Sequence, residues 1–304
     1  MSGAGVPHEA AGGDHRRDAR PDELFFPLVG AELARVVRDA LDEDRAFDDV
    51  TTIATVLSDR RAGARVVARA PGVVAGGPLA AEAFRLLDPA AELHVNVEDG
   101  ARAVAGEPVL SVRGNARGVL SAERVALNFM QRLSGIATLT LAYVEAVRGT
   151  QTRILDTRKT TPGLRRLEKY AVRAGGGMNH RMDLASAVLI KDNHLESVDG
   201  DVALAVRRAR ELAAPGTKVE VECDTLPQVE RALDAGADVI MLDNMALDAM
   251  RDAVRRIAGQ AIVEASGGVR LDTVRAIAET GVDWISVGAL THSAPALDLG
   301  LDFE

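Results

Sequence analysis

The sequence is poor in cysteine, in aromatic residues and in long apolar runs. Cys223 is the only cysteine, so neither an intrachain disulfide nor a cysteine-based zinc site can form. Aromatic residues make up 3% of the chain and the formal net charge is −9, which together argue against nucleic-acid binding. No apolar run approaches the roughly 20 residues that cross a bilayer. These absences predict a globular protein of the reducing cytoplasm, with neither nucleic acid nor a membrane as partner.

The first part of the chain predicts an extension followed by a small domain. Residues 1–22 lack the apolar centre of a signal peptide, and we expect a disordered extension. Residues 23–122 contain an amphipathic helical stretch after Pro27 and then short β-branched runs broken by glycine, such as ARVVARAPGVVAGG. This pattern predicts a sandwich-like α+β domain. We expect residues 291–304 to pack back on it.

Residues 123–290 show a different pattern, in which apolar β-runs alternate with amphipathic helices. The last three runs start 23 residues apart, which is the length of a βα unit. Parallel strands need such helical crossovers, and nearly continuous apolar strands indicate burial on both faces. The pattern predicts a closed or nearly closed α/β barrel, with an open doubly wound sheet as the alternative. The six runs cover residues 153–159, 187–194, 218–224, 238–244, 261–268 and 284–290.

Each of these runs ends in polar or glycine residues. The carboxyl ends of parallel barrel strands open on one face, where the active sites of such folds lie. We therefore predict one functional face that collects all of these endings. They are Arg158 and Lys159, Lys191, Glu222, Asp243, Ser266 to Gly268, and Gly288.

Cations are concentrated in one window of an otherwise acidic chain. Between residues 151 and 194 there are nine Arg or Lys against four Asp or Glu. Like charges that converge in a cleft repel one another and lose hydration, so the cluster needs an anion to complete it. Arginine suits carboxylates and lysine suits phosphates. The cluster predicts a ligand that carries both groups, bound by Arg158, Lys159, Arg181 and Lys191, with His180 as a further hydrogen-bond donor.

The residues that end the other predicted strands suit binding of a phosphate group and of a metal ion. The glycines of Ser266–Gly268 and Gly288 allow backbone N–H groups to approach a phosphate, although they are also compatible with simple tight turns. Glu222 and Asp243 come from neighbouring strands and offer the oxygen ligands that Mg²⁺ prefers. Ion pairs with Lys159 or Lys191 are the alternative use of these two carboxylates.

Several of these segments resemble the quinolinate phosphoribosyltransferase family, the carboxylate-releasing nicotinate-nucleotide pyrophosphorylases. The similarity runs from about residue 24 to the C-terminus, and the combination of DTRKT with GGGMNHR is its most specific part. The other matching segments are AERVALNFMQRLSGIAT, IKDNH, VEVECDTLPQ, IMLDN and EASGG. The resemblance implies an N-terminal α+β domain joined to an incomplete α/β barrel of about seven strands.

The resemblance also implies a reaction and a role for each site residue. Phosphoribosyl would pass from phosphoribosyl pyrophosphate to quinolinate, giving nicotinate mononucleotide, CO₂ and pyrophosphate in NAD synthesis. The implied quinolinate residues are Arg158, His180, Arg181 and Lys191, with Arg124 from the partner subunit of a homodimer, or of a hexamer built on the same interface. Lys159, Glu222 and Asp243 would serve phosphoribosyl pyrophosphate and Mg²⁺, the latter directly or indirectly, and Ser266, Gly267, Gly268 and Gly288 would hold the 5′-phosphate.

Three other functions compete with this interpretation. A phosphoribosyltransferase for nicotinate or another carboxylated heterocycle would use the same charges. A Schiff-base enzyme would need a desolvated lysine of lowered pKa at Lys159 or Lys191, which neighbouring arginines disfavour. A non-catalytic phosphometabolite-binding module would explain the cations and glycines but not the facing carboxylates. A lipoyl-type carrier is excluded at residues 98–115, because that glycine-punctuated stretch has no lysine.

Overall fold

The computed structural model describes residues 24–304. The predicted extension, residues 1–22, lies outside the described residues. Among the described helices, none combines the length and the apolar character that a bilayer crossing requires.

The secondary structure changes from mixed to alternating along the chain. The helices are α1 (Gly30–Glu43), α2 (Val50–Thr55), α3 (Gly77–Leu87), α4 (Ala116–Ala146), α5 (Arg165–Ala174), α6 (Asp192–Glu196), α7 (Val202–Leu212), α8 (Leu226–Asp234), α9 (Leu247–Ile257), α10 (Val274–Ala278) and α11 (Ala289–His292). The strands are β1 (Arg61–Ala68), β2 (Gly72–Val73), β3 (Glu92–Val95), β4 (Arg102–Ala103), β5 (Pro108–Asn115), β6 (Arg153–Leu155), β7 (Val188–Ile190), β8 (Val219–Cys223), β9 (Val239–Asp243), β10 (Ile262–Ser266), β11 (Trp284–Ser286) and β12 (Leu299–Phe303).

A four-stranded antiparallel sheet forms the small N-terminal domain. Its strand order is β12-β1-β5-β3, and a separate two-stranded ribbon joins β2 to β4. The last strand of the chain, β12, pairs with β1 in the register Val66 to Leu301. The chain therefore ends in the sheet of its first domain. The domain limits inferred from the sequence, 23–122 and 123–290, stay predictions.

The long helix α4 connects the two parts of the molecule. Asn115 caps its N-terminus, because the side-chain oxygen accepts hydrogen bonds from the backbone N–H groups of Arg117 and Gly118. Its buried face contacts α3 and β1 at one end and α5 and β6 at the other. The predicted boundary at residue 122 falls inside this helix.

Six parallel strands form the sheet of the second domain, in the order β6-β11-β10-β9-β8-β7. All six lie inside the runs that the sequence predicts, so the α/β fold is confirmed. The predicted count of about seven becomes six strands and a single parallel bridge, from Leu155 to Met178. Two features keep this segment from forming a longer strand. The glycines before Met178 have no side chains to pack. The backbone N–H of His180, two residues after Met178, donates to the carboxylate of Asp156 at 2.9 Å instead of to a strand.

Candidate active site

The carboxyl ends of the parallel strands bring most of the predicted site residues to one edge of the sheet. Arg158 and Lys159 follow β6, Lys191 follows β7, and Gly288 follows β11. Glu222, Asp243 and Ser266 lie in the last two residues of β8, β9 and β10. Asp243 and Ser266 are also direct partners in the register of β9 and β10. We call this edge the rim; it includes His180 and Arg181, which follow the Met178 bridge.

Two rim cations have no counter-charge in the described part of the chain. The side chains of Arg158 and Lys159 make neither a hydrogen bond nor an ion pair with any residue from 24 to 304, and the Nε atom of Arg158 is buried. Partial burial and the charge of Arg158 lower the pKa of Arg181, whose Nη1 donates to the carbonyl of Ala187 at 3.0 Å. Cations that lack partners in a partly buried place create a positive potential there. The rim can therefore attract an anion.

A buried ion pair supports the part of the rim that carries His180 and Arg181. The Nζ atom of Lys169, on α5, donates to Asp156, and both side chains are fully buried. Asp156 also accepts from the side chain of Asn179 and from the backbone N–H of His180. Burial raises the pKa of Asp156 and lowers that of Lys169, and the pairing opposes both effects. Three donors are thus fixed around one carboxylate below the rim.

A second buried carboxylate supports the loop after Lys159. Glu168 is fully buried and accepts from the backbone N–H of Thr161 at 3.0 Å and from its hydroxyl at 2.7 Å. Arg132, on α4, donates to the same carboxylate at 2.8 Å. The hydroxyl of Thr291 donates to the carbonyl of Lys159 at 2.8 Å. The backbone that carries the two unpartnered cations is therefore held from α4, α5 and α11.

Lys191 and Glu222 form an ion pair on the rim. The lysine side chain is 44% exposed and the glutamate side chain 12% exposed. The sequence left two uses open for Glu222, an ion pair or a metal ligand, and the structure shows the ion pair. A half-exposed pair of this kind contributes little to stability and can open for a ligand.

The glycine-rich end of the rim contacts Lys159 and a histidine that sequence reasoning missed. A Cβ on Gly288 would lie 3.0 Å from Cδ of Lys159 and 3.2 Å from Nε2 of His292. Both side chains therefore flank this glycine. His292 is exposed at the end of α11, and its position six residues after the end of β11 is the signal that could have identified it.

His180 points into the interior of the sheet rather than out of the rim. Its Nε2 lies 3.1 Å from an oxygen of Glu220 and 3.5 Å from an oxygen of Glu264, and both carboxylates are buried. Its Nδ1 accepts from the backbone N–H of Arg181 at 2.8 Å. Nδ1 is therefore occupied, whereas the buried Nε2 faces the two carboxylates without a hydrogen bond to either of them. The predicted contact of this ring with quinolinate would require the ring to turn away from the carboxylates, or the Arg181 amide to release Nδ1.

The environment of His180 favours the cationic form of the ring, with a proton on each nitrogen. Burial alone would lower its pKa, but the carboxylates of Glu220 and Glu264 outweigh burial and raise the pKa of His180 to about 10. Burial also raises the pKa of Glu220. The amide of Arg181 opposes a proton on Nδ1, so this contact must loosen when the ring is cationic. In the neutral ring the same amide places the proton on Nε2.

Among residues 24–304, one cluster brings together three side chains that could bind a metal ion, with ligand atoms within 4.8 Å of one another. Its members are His180, Glu220 and Glu264. A metal ion on Nε2 requires the proton to sit on Nδ1, where ligating histidines normally donate to an acceptor. Here Nδ1 faces an N–H donor. Proton sharing therefore suits this cluster better than a metal ion.

Glu220 and Glu264 were also missed by sequence reasoning, although the sequence contains a signal for them. Each lies two residues before a rim residue on the same strand, Glu222 and Ser266, and so points to the same face. Barrel interiors are normally filled by branched apolar side chains. A glutamate at such an inward position of a buried strand is therefore unusual enough to be noticed.

Arg124 lies apart from the other predicted site residues. It is exposed on α4, two turns before Arg132, and its side chain has no hydrogen-bond or ion-pair partner among the described residues. Its assignment to a neighbouring subunit's site stays a prediction.

Comparison with known proteins gives the family. The chain matches the model of the quinolinate phosphoribosyl transferase N-terminal domain over residues 49–134 and that of the C-terminal domain over residues 136–302. The chain belongs to the quinolinate phosphoribosyltransferase family. A relative from Mycobacterium leprae, named nicotinate-nucleotide pyrophosphorylase [carboxylating], is 46% identical over 88% of this chain and 95% of its own length. A Bacillus subtilis relative, a probable enzyme of the same name, is 42% identical over 89% of this chain and 93% of its own.

Solved structures of the family share the fold. The nicotinate-nucleotide pyrophosphorylase of Francisella tularensis superimposes with a TM-score of 0.86 at 38% identity, covering 92% of this chain and 99% of that one. Both domains of this quinolinate phosphoribosyltransferase family member are included in that coverage. The resemblance stated from the sequence is thereby confirmed.

Proposed function

We propose that the rim transfers phosphoribosyl from phosphoribosyl pyrophosphate to the ring nitrogen of quinolinate, with loss of CO₂, to give nicotinate mononucleotide and pyrophosphate. Family membership supports the reaction. The location of the active site on the rim is supported by two unpartnered cations, Arg158 and Lys159, on the same edge of the sheet as the carboxylates and glycines. A binding module would need the cations and glycines but not the facing carboxylates.

The two carboxylates of quinolinate fit the cationic part of the rim. Arg158 and Arg181 offer planar donors that suit a carboxylate, and Lys191 becomes a third donor when it leaves Glu222. These contacts would fix the ring so that its nitrogen faces the ribose carbon. Orientation of this kind supplies several kcal/mol of a reaction barrier. When the His180 ring is cationic, the contact of Nδ1 with the Arg181 amide loosens, and Nδ1 would then be free to donate a hydrogen bond to a quinolinate carboxylate.

Phosphoribosyl pyrophosphate fits the rest of the rim. Lys159 lies beside Gly288, where it can meet the phosphates, and Ser266, Gly267 and Gly268 offer backbone N–H groups to the 5′-phosphate. Glu222, once Lys191 has moved, and Asp243 are placed to hold ribose hydroxyls and to offset the positive charge that develops on the ribose. Loss of CO₂ then leaves an electron pair on the ring carbon, where the positive charge of the adjacent pyridinium nitrogen stabilises it until that carbon takes up a proton from water. No basic side chain is required to break the carbon–carbon bond.

We further propose Mg²⁺ as the cofactor. Mg²⁺ is usually bound by one or two carboxylates together with substrate phosphates, and Asp243 and Glu222 provide such a set. Bound there, Mg²⁺ would stabilise the charge of the leaving pyrophosphate. The test is the dependence of turnover on added Mg²⁺ after treatment with a chelator. Turnover that persists without any divalent ion would remove the metal from the proposal.

One assay tests the reaction. Purified enzyme is incubated with quinolinate, phosphoribosyl pyrophosphate and Mg²⁺, and nicotinate mononucleotide and CO₂ are measured together. We expect both products in equal amounts. Nicotinate in place of quinolinate is the control, since a nicotinate phosphoribosyltransferase would form the mononucleotide from it without CO₂.

A homodimer with shared sites is the assembly we propose, with a hexamer on the same interface left open. The exposed and unpaired side chain of Arg124 supports it, because such a cation is free to complete a neighbour's site. We expect an Arg124→Ala variant mixed with a Lys159→Ala variant to regain activity, since one hybrid site receives intact parts from both chains. Verified heterodimers that regain no activity would contradict the proposal that the two subunits share their active sites. We place the enzyme in the cytoplasm, consistent with its single buried, free thiol at Cys223.

A further inference from the structure

Asn244 follows β9 directly and has an unusual backbone conformation. Its φ is 51°, in the left-handed region that residues other than glycine seldom adopt. Among residues 24–304, the non-glycine residues with positive φ are Arg45, Asp199, Asn244 and Ala258. Asn244 is the one whose neighbour in sequence is a rim carboxylate, Asp243. Asparagine adopts this region more readily than most other residues, because its short polar side chain can form local hydrogen bonds.

Three contacts hold Asn244 in this conformation. Its Nδ2 donates to Oδ2 of Asp243 at 2.7 Å. Its backbone N–H donates to the carbonyl of Ser266 at 3.0 Å, across to the end of β10. Its carboxamide lies directly against Gly267, where the three atoms nearest to any added Cβ all belong to Asn244 and would overlap with it. Two features therefore disfavour a side chain at Gly267, namely its φ of +88° and the carboxamide of Asn244.

These contacts join two parts of the rim that the reaction uses separately. Asp243 is placed for the ribose and its metal, whereas Ser266 and Gly267 are placed for the 5′-phosphate. Both groups belong to one substrate, so their spacing decides whether it fits. A hydrogen-bond donor orients the carboxylate that it contacts, and for carboxylates that ligate a metal the loss of such a donor typically lowers affinity or activity about 10- to 100-fold.

We propose that Asn244 is a positioning residue, which holds the Asp243 carboxylate and the turn at Gly267 in the spacing that phosphoribosyl pyrophosphate requires. This proposal rests on the proposed function. It makes a specific distinction between the substrates. Asn244 matters for phosphoribosyl pyrophosphate, and it does not matter for quinolinate, whose cations lie after β6, after β7 and after the Met178 bridge.

The test uses Asn244→Gly, because glycine keeps the left-handed backbone and removes only the side chain. The matched control is Ala258→Gly, which relieves the same backbone conformation (φ 48°) at the end of α9. Binding of phosphoribosyl pyrophosphate with Mg²⁺, and of quinolinate alone, is measured by calorimetry for both variants and for the wild type. Steady-state kinetics are then measured with each substrate varied in turn, and the melting temperatures show whether the fold is intact.

We expect Asn244→Gly to raise the Kd and KM for phosphoribosyl pyrophosphate about 10- to 100-fold and to leave the quinolinate Kd within about twofold. Ala258→Gly should leave all of these constants unchanged. Unchanged phosphoribosyl pyrophosphate binding in Asn244→Gly would overturn the proposal. So would an equal loss for both substrates, which a merely structural residue would produce. A wild type that binds phosphoribosyl pyrophosphate without forming product would contradict the proposed function instead, and the binding comparison would still test Asn244.

A double-mutant cycle with Gly267→Ala tests whether Asn244 acts through its contact with Gly267. An added methyl group at Gly267 must displace the carboxamide of Asn244. We therefore expect Gly267→Ala to cost less in the Asn244→Gly background than in the wild type, since only the strain of the backbone at φ +88° then remains. Simple addition of the two losses would mean that Gly267 and Asn244 act independently and would contradict the proposed coupling.

Discussion

Two lysine–carboxylate ion pairs, close together in sequence, differ in what surrounds them. Lys169 and Asp156 have fully buried side chains and share further partners, Asn179 and the amide of His180. Lys191 and Glu222 are partly exposed, and no other side chain among residues 24–304 donates to the glutamate. The first pair shapes the support of the rim, and the second leaves its charges available. Burial therefore separates a structural pair from the pair that we propose to bind substrate, although both join a lysine to a carboxylate.

The largest effect should follow when the buried pair is broken. Lys169→Met leaves Asp156 buried without its cation, and we expect the free energy of unfolding to fall by about 3–5 kcal/mol. Urea unfolding measures this change. The double variant Asp156→Asn/Lys169→Met should recover part of the loss, because no uncompensated charge remains. Equal stabilities of Lys169→Met and the wild type would remove the structural role from this pair.

The matched change on the rim should affect binding rather than stability. Lys191→Met is expected to change the free energy of unfolding by no more than about 1 kcal/mol, as for other exposed pairs. We expect the same variant to lose at least about tenfold in quinolinate affinity, since one donor to the dicarboxylate is gone. Arg181→Ala should lose a similar factor. Calorimetry with quinolinate checks both variants, and wild-type affinity in either would remove that side chain from the proposed carboxylate site.

A smaller effect on stability, which depends on pH, is expected for His180 and its two buried glutamates, in contrast to the two lysine ion pairs. The pKa of His180 is raised to about 10 from its usual 6.5. The stabilisation that this provides is therefore complete below pH 6.5 and is lost as the pH rises to 10. Glu264→Gln removes one of the two carboxylates responsible. We expect the stability difference between the wild type and this variant to shrink across that range, as measured by urea unfolding at several pH values.

The protonation of His180 can also be observed directly by NMR of its ring nitrogens. A charged ring at pH 8 is the expected result. A neutral ring at that pH would mean that the proton resides on the glutamates and that the amide of Arg181 keeps its contact with Nδ1.

Much of the fold and part of the site were predictable from the sequence, for reasons that particular residues show. The six parallel strands were predictable because buried strands such as VIMLD are continuously apolar and their spacing repeats. Lys191 and Glu222 were predictable because they end such strands. Asp156 lies in the quoted DTRKT segment but was not singled out, since its burial depends on its partner Lys169 on α5, which the strand pattern does not reveal. Glu220 and Glu264 depend on the inward direction of one strand face, and Asn244 depends on a backbone angle that the letter N does not reveal.

The most direct test of the whole account is a crystal structure of the enzyme with quinolinate bound. The account predicts that the two carboxylates of quinolinate contact Arg158 and Arg181 on the rim, and that Lys191 has left Glu222 to join them. Quinolinate bound elsewhere, with the pair of Lys191 and Glu222 intact and Arg158 still without a partner, would contradict it.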